Sequence, residues 1–334
     1  MEFIEKNGLY VPDYLDKKTA KIKEDQGLIQ EFYELYELQR MIGIDTLIVG
    51  DMDSPKCRFC LKSYPETTFS DNHHLIPELL SQNETRTYYE CDECEKKYFV
   101  LQDDHLGNFL GGLRSFDRIK GKDGIVNYDS PHSDMKIRPD GNTVNLHNMD
   151  GSQYDPITGI MPVVLTKPGY RPAMVYQSLV RIGYQLLDED EIPSFESTRR
   201  WLLEKEKDTN RMKLTLPFFF SRLLKNKYHY LTALLYKRKN INVMEAVPEK
   251  ILIVHTAIYQ FQVMLPYAAS DTRKSYRGID KKYRVPRLPP MFDKEYSHEQ
   301  RPDMSSFDLI QNEVQKLDIV PEPGTKPTIT PRRP

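Results

Sequence analysis

The 334-residue chain predicts an α+β fold: a small module closed by a four-cysteine zinc clamp, beside a larger α+β companion domain. Three observations predict it. All the cysteines fall in one short stretch, as Cys57-x-x-Cys60 and Cys91-x-x-Cys94. Apolar residues at helical spacing alternate along the chain with aromatic and β-branched runs of strand length. The length also suffices for two domains and a substantial core.

The cysteines come first because they constrain the most chemistry. Each C-x-x-C sets two thiolates on one tight turn, and two such turns complete a tetrahedral sulfur cage around one zinc. The competing readings are two disulfides or four unrelated buried thiols. Disulfides need an oxidising compartment, and MEFIEKNGLYVPDYLDKK lacks the apolar run of a signal peptide. A structural zinc in a reducing, cytoplasmic setting is therefore expected. A thioredoxin-like redox role would need a βαβ frame that the pattern does not offer.

Between the two pairs lies Asp71-Asn72-His73-His74-Leu75-Ile76-Pro77-Glu78. It reads as an extended piece running into a proline-terminated turn, and alternation along it sends the two imidazoles to opposite faces. One ring can then bind a metal while its neighbour meets a water; the alternative is a solvated pair, as in most loops, and the position between the two halves of the clamp is what favours the first.

C-x-x-C, then His-His followed by two apolar residues and Pro, then C-x-x-C at the start of a helix resembles the zinc-knuckle branch of the HNH endonuclease superfamily. The resemblance covers about fifty residues and implies a ββα-metal (HNH) module, a β-hairpin followed by a helix with a divalent ion between them. Carried over by position, it implies His74 as general base and His73 as metal ligand. The residue directly after the last cysteine, commonly Asn or His in the family, is here Glu95. A carboxylate at that place suits Mg²⁺ or Mn²⁺. The family's central Asn falls by spacing near Arg86, with Asn83 three residues early. These are the two departures from the pattern. If a helix starts near Glu93, Glu95, Phe99 and Gln102 share a face, with Asp103 about 80° to one side and His105 about 80° to the other. Asp103 and His105 are second-rank ligand candidates, with solvated helix surface as the alternative.

The implied activity is metal-dependent hydrolysis of DNA phosphodiester bonds, with bacterial defence against phage or plasmid DNA as the setting by analogy. The rival is a catalytically degenerate zinc module that binds nucleic acid or a protein partner. A weaker third reading is a structural subunit whose C-terminal tail recruits a partner.

Around the module, residues 1–26 are polar and read as an irregular arm, and Gly27 to Met41 carries Leu28, Phe32, Leu35 and Tyr36 at helical spacing. Thr46 to Val49 is a short strand, so 1–50 forms an arm and helix and 51–112 the module. Over 113–167, a connector with β-hairpins, Asp140-Gly141 is a hairpin turn between extended pieces and Ile160 to Leu165 a further strand. Arg114, Arg118, Lys120 and Lys122 make a small basic run there.

The companion domain, 168–270, opens with a helix whose Val175, Leu179, Ile182 and Leu186 line one side. A second helix follows with Ser194 as cap. Tyr228 to Tyr236 and Ile251 to Leu265 then read as antiparallel strands, with His229 and His255 as core or face residues.

A net charge of −2 gives no global basicity, so nucleic-acid contact must be local. Asp271 to Arg287 has seven basic residues against two acidic, interleaved with tyrosines. Arg273, Lys274, Arg277, Lys281, Lys282 and Arg284 are the candidate phosphate contacts, with an ordinary solvated surface as the alternative. The rest of 271–334 is proline-rich and reads as a flexible or partner-wrapped tail. No apolar run reaches membrane-spanning length. The oligomeric state is not encoded in any pattern above.

Overall fold

The computed structural model describes residues 3–6, 9–43, 45–70, 73–80, 85–121, 124–140, 143–149, 161–206, 214–223, 231–240, 247–273, 283–290, 296–319 and 330–331. The chain opens with a hairpin, β1 (Phe3–Lys6) and β2 (Leu9–Pro12), and runs straight into α1 (Asp13–Leu35). The expected irregular arm is therefore a hairpin and the first half of a helix.

The expected helix over 27–41 stops early, because Tyr36–Ile42 leaves it as strand β3. Sheet pairing outweighs helical period here. Tyr36 is fully buried, stacks on Phe32 and donates its hydroxyl to Pro248 O at 2.7 Å.

In the module, β4 (Ile48–Val49) lies parallel to β5 (Arg86–Thr87). On the other side of β5, Leu75 N donates to Thr85 O, Thr87 N donates to His73 O, and His74 forms an antiparallel bridge with Arg86. The His73–Leu75 segment and β5 thus form two antiparallel arms, and the chain then enters a long helical rod. That rod is α2 (Asp92–Cys94), a π turn (Glu95–Phe99) and α3 (Val100–Leu110). It stops at Gly111, whose φ of +55° favours glycine.

Next come α4 (Leu113–Phe116), the small pair β6 (Lys120–Gly121) and β7 (Gly124–Ile125), and strands β8 (Tyr128–Asp129), β9 (Lys136–Asp140) and β10 (Thr143–Met149). The β9–β10 pairing starts from Thr143 opposite Asp140, as the Asp140-Gly141 turn predicts. β11 (Met161–Thr166) is the expected further strand.

α5 (Pro172–Gln185) is buried along its whole length, not along one stripe. A helix enclosed on every side must satisfy its polar residues inside the protein. A 3₁₀ turn over Ile192–Phe195 leads into α6 (Glu196–Leu202), so Ser194 sits inside that turn instead of capping a helix.

The body of the companion region is one antiparallel sheet. β12 (Phe218–Leu223), β13 (Thr232–Arg238), β14 (Lys250–His255) and β15 (Tyr259–Met264) are followed by α7 (Ala269–Arg273) and β16 (Tyr296–Arg301). The sheet order is β16-β12-β15-β14-β13-β3. The run Ile251 to Leu265 is two strands, because the chain turns at Thr256, whose N–H and hydroxyl both bond Tyr259. His255 is a buried core residue as expected; His229 lies outside the described residues.

The flexible-tail expectation fails for the described part of 271–334. β16 joins the main sheet, β17 (Val314–Ile319) pairs with β11, and β18 (Thr330–Pro331) pairs with β10. Glu313 anchors this segment by accepting from Lys167, Tyr170 and Arg301, each at 2.6 Å.

Buried apolar residues from the module (Phe59, Leu75, Phe99, Leu106), α5 and the sheet (Phe220, Leu252, Phe261) form one contiguous core. Phe59 meets Phe99 at 4.6 Å and Tyr184 at 5.5 Å between ring centroids, so the cysteine loop packs directly on α5. Among the described residues no helix is long and apolar enough to cross a membrane.

Candidate metal centres

The four thiols converge. Cys57 Sγ lies 3.8 Å from Cys94 Sγ, and Cys60 Sγ lies 3.6 Å from Cys91 Sγ. A tetrahedral ion with bonds of roughly 2.3 Å requires sulfur separations of about 3.8 Å, so the donor set fits one zinc. Such a cage is coordinatively full once loaded, which suits a structural clamp.

The clamp is fastened to the companion region by Arg58, one of the two residues between its first two cysteines. Arg58 donates to Gln185 O at 2.9 Å and Leu187 O at 2.8 Å, pairs with Glu189 at 2.5 Å and lies 3.5 Å over the Tyr89 ring. It therefore satisfies carbonyls that the C-terminal end of α5 leaves open. Arg199 from α6 donates to Phe59 O on the same loop.

The second centre lies on the face of His73. A ring nitrogen of His73 and carboxylate oxygens of Glu90 and Glu95 lie within 4.8 Å of one another. One imidazole with two carboxylates is a donor set that suits a divalent cation of the Mg²⁺ or Mn²⁺ kind. The sequence pointed to His73 and Glu95 and missed Glu90. Its signal was a lone carboxylate between Tyr88-Tyr89 and Cys91, where an apolar residue would be expected.

His73 is buried, and its Nε2 donates to Asp92 Oδ1 at 2.6 Å. Burial works against the Asp92 charge, but bonds from Thr68, Ser70 and His73 outweigh it and pull the carboxyl down to about 2. Asp92 is thus a fixed anion that orients the ring. Burial pushes Glu90 well up, more than the nearby Arg181 charge pulls it down. For Glu95 the balance reverses: against burial, a hydrogen bond from Glu90 and the Arg181 charge hold it below the usual value. The contact between the two carboxyls thus works in opposite directions, raising Glu90 and lowering Glu95.

The two histidines do point apart. His74 Nε2 accepts from the Arg86 guanidinium and lies 3.4 Å from Glu78 Oε1. Arg86 therefore touches the expected base from the place where spacing put the family's central Asn. Asn83 lies outside the described residues.

The π turn explains the two second-rank candidates. It widens the helix for one turn and absorbs roughly a quarter of a rotation, so Asp103 comes close to the direction of Glu95 while His105 swings to the opposite side. Asp103 accordingly shares Arg181 with Glu95, accepting at 2.9 Å, and takes the Ser178 hydroxyl at 2.5 Å. Burial, only partly offset by Arg181, raises its carboxyl to about 6. His105 accepts from Arg171 N at 3.2 Å and stands outside the cluster.

Of the proposed phosphate contacts, Arg273 ends α7, and Lys274, Arg277, Lys281 and Lys282 lie outside the described residues. Arg284 pairs with Glu31 of α1. In the connector, Arg114 donates to Leu79 O at 3.0 Å and so braces the module.

No family model, curated protein or solved structure matches this chain.

Proposed function

We propose that this chain is a metal-dependent endonuclease of the HNH type that hydrolyses DNA phosphodiester bonds. The observation that carries this reading is one piece of geometry. Two antiparallel arms, His73–Leu75 and Arg86–Thr87, lead into a helix starting at Asp92, and His73, Glu90 and Glu95 converge between them inside a four-cysteine frame. A hairpin running into a helix, with His73 and the residue after the last cysteine close together, supports the reading drawn from the motif resemblance; Glu90 is an addition to it.

A divalent ion on His73, Glu90 and Glu95 would supply positive charge to the phosphate and to the leaving oxygen. The protein's own part falls to His74, which takes the proton of the attacking water. Arg86 occupies His74 Nε2 in the free protein. It must give up that nitrogen before a water reaches it, and an incoming phosphodiester offers the guanidinium a stronger, bidentate anion. Arg86 then serves as a substrate contact as well as a latch. Bacterial defence against foreign DNA belongs to the proposal only by analogy with the resembling branch.

One observation favours a second reading, a zinc module that binds nucleic acid or a protein without cutting it. Both would-be reactive groups already have cationic partners: Arg86 on His74 and Arg181 on Glu95. Supercoiled plasmid incubated with Mg²⁺ or Mn²⁺ separates the two. The endonuclease reading expects nicking by the wild type and a loss of at least about a hundredfold in His74→Ala. Silence from both proteins across several metals and substrates, with DNA retained on a gel, supports the binding module.

A further inference from the structure

Arg181 stands in the middle of α5, 2 % exposed, with its guanidinium against the carboxylates of the second centre. Nη1 lies 3.5 Å from Glu90 Oε1 and 3.4 Å from Glu95 Oε2. Nη2 lies 2.9 and 3.2 Å from the two Asp103 oxygens, and Nε is buried without a partner. The contacts are unequal. Asp103 is gripped by both oxygens, whereas the two glutamates are held at the long end of ion-pair range. An arginine built only to neutralise Glu90 and Glu95 would sit closer to them and would not leave a buried donor idle.

The charge count points the same way. Glu90, Glu95 and Asp103 carry three potential negative charges against one guanidinium. With a divalent ion on His73, Glu90 and Glu95, the two glutamates balance the ion and Asp103 balances Arg181. A buried cluster of carboxylates is stable only when its charge is met in this way or by protons.

We propose that Arg181 is a built-in counter-cation that competes with the divalent metal for Glu90 and Glu95, and retreats onto Asp103 when the metal binds. This rests on reading His73, Glu90 and Glu95 as a divalent-cation site. The guanidinium keeps both glutamates in place before loading and sets a threshold for it. The arginine comes from α5, whose C-terminal end, about one turn further on, is tied to the zinc clamp through Arg58. Metal uptake at the second centre is therefore coupled to the seating of the companion helix on the module.

The test is Mn²⁺ binding to the full zinc-loaded chain, followed by the electron paramagnetic resonance of the free ion. Wild type is compared with Arg181→Gln and Glu95→Gln. Removing a positive charge beside the ion should tighten Mn²⁺ binding by about tenfold or more, while Glu95→Gln weakens it. Equal or weaker binding by folded Arg181→Gln, with the Glu95→Gln loss still seen, overturns the competition and leaves the metal site standing. No Mn²⁺ binding by any of the three proteins removes the site and the competition together. Should Arg181→Gln not fold, the double variant Arg181→Gln/Asp103→Asn, which removes one charge of each sign, is read against Asp103→Asn. Tighter binding by the double variant supports competition, and unchanged binding overturns it.

Discussion

Cys91 does two jobs at the residue scale: it completes the sulfur cage, and it begins the rod that carries Glu95 and Asp103. Loss of its thiolate leaves three sulfur donors around an ion that prefers four. Cys91→Ser should therefore bring zinc content well below one ion per chain by elemental analysis, and lower the unfolding midpoint with it. Full zinc and unchanged stability would show that the clamp does not depend on this residue. The cysteines were legible in the sequence because metal-ligand spacing is local: two residues on one turn fix their own geometry. Glu90 and Arg181 were not. Glu90 stands beside a strongly charged run and Arg181 inside an apolar helix, and only the packing of α5 against the rod shows that the two meet. His73 and His74 fall between these cases. Period-two alternation separated their rings correctly, but it could not show that Arg86 would sit on one and Asp92 on the other.

The rod at 92–110 shows how an element can mislead when its period is assumed. An unbroken α-helix keeps Asp103 to one side of Glu95, and the π turn at Glu95–Phe99 brings them together. No composition rule announces such a turn. The junction after the rod has a plainer local signal, the pair Gly111-Gly112. Gly111 supplies the left-handed backbone, and Gly112 supplies space. A methyl group at Gly112 would run into Leu165 Cδ1 of β11, with Ile137 Cδ1 at 3.2 Å and Tyr128 Cδ1 at 3.3 Å behind it. Gly112→Ala is expected to cost about 1 to 3 kcal/mol of stability in urea unfolding, through overpacking where the rod meets the connector strands. A change within about 0.5 kcal/mol would mean that the junction can open without penalty.

At the scale of the whole molecule, the largest of its cores crosses every boundary drawn from composition, while a smaller one packs α1 on the sheet. The tail shows why those boundaries were hard to see. Prolines and charges dominate 271–334, yet Val314 to Ile319 alternates well enough to pair with β11, and Leu317 is buried there. A partner strand so distant along the chain leaves no local trace. Because one core spans module and sheet, protonation inside the sheet should be felt by the entire fold. His255 on β14 provides the clearest case. Burial pulls its imidazole down to about 4, against a hydrogen bond with Gln260 that works the other way. In the folded state it is therefore neutral through the range in which an unfolded histidine, near 6.5, takes up a proton. Its contribution to stability is complete above pH 6.5 and is lost as the pH falls toward 4. Asp103 and Asp271, both raised to about 6 by burial, bind protons more readily when folded, so they oppose this loss over part of the same window. The histidine term is isolated by comparison with His255→Gln, which cannot titrate. Urea midpoints at pH 7.5, 5.5 and 4.5 should show the wild type losing about 1 to 3 kcal/mol relative to the variant across that range. A constant difference between the two proteins would mean that the ring is protonated in the sheet as readily as in water.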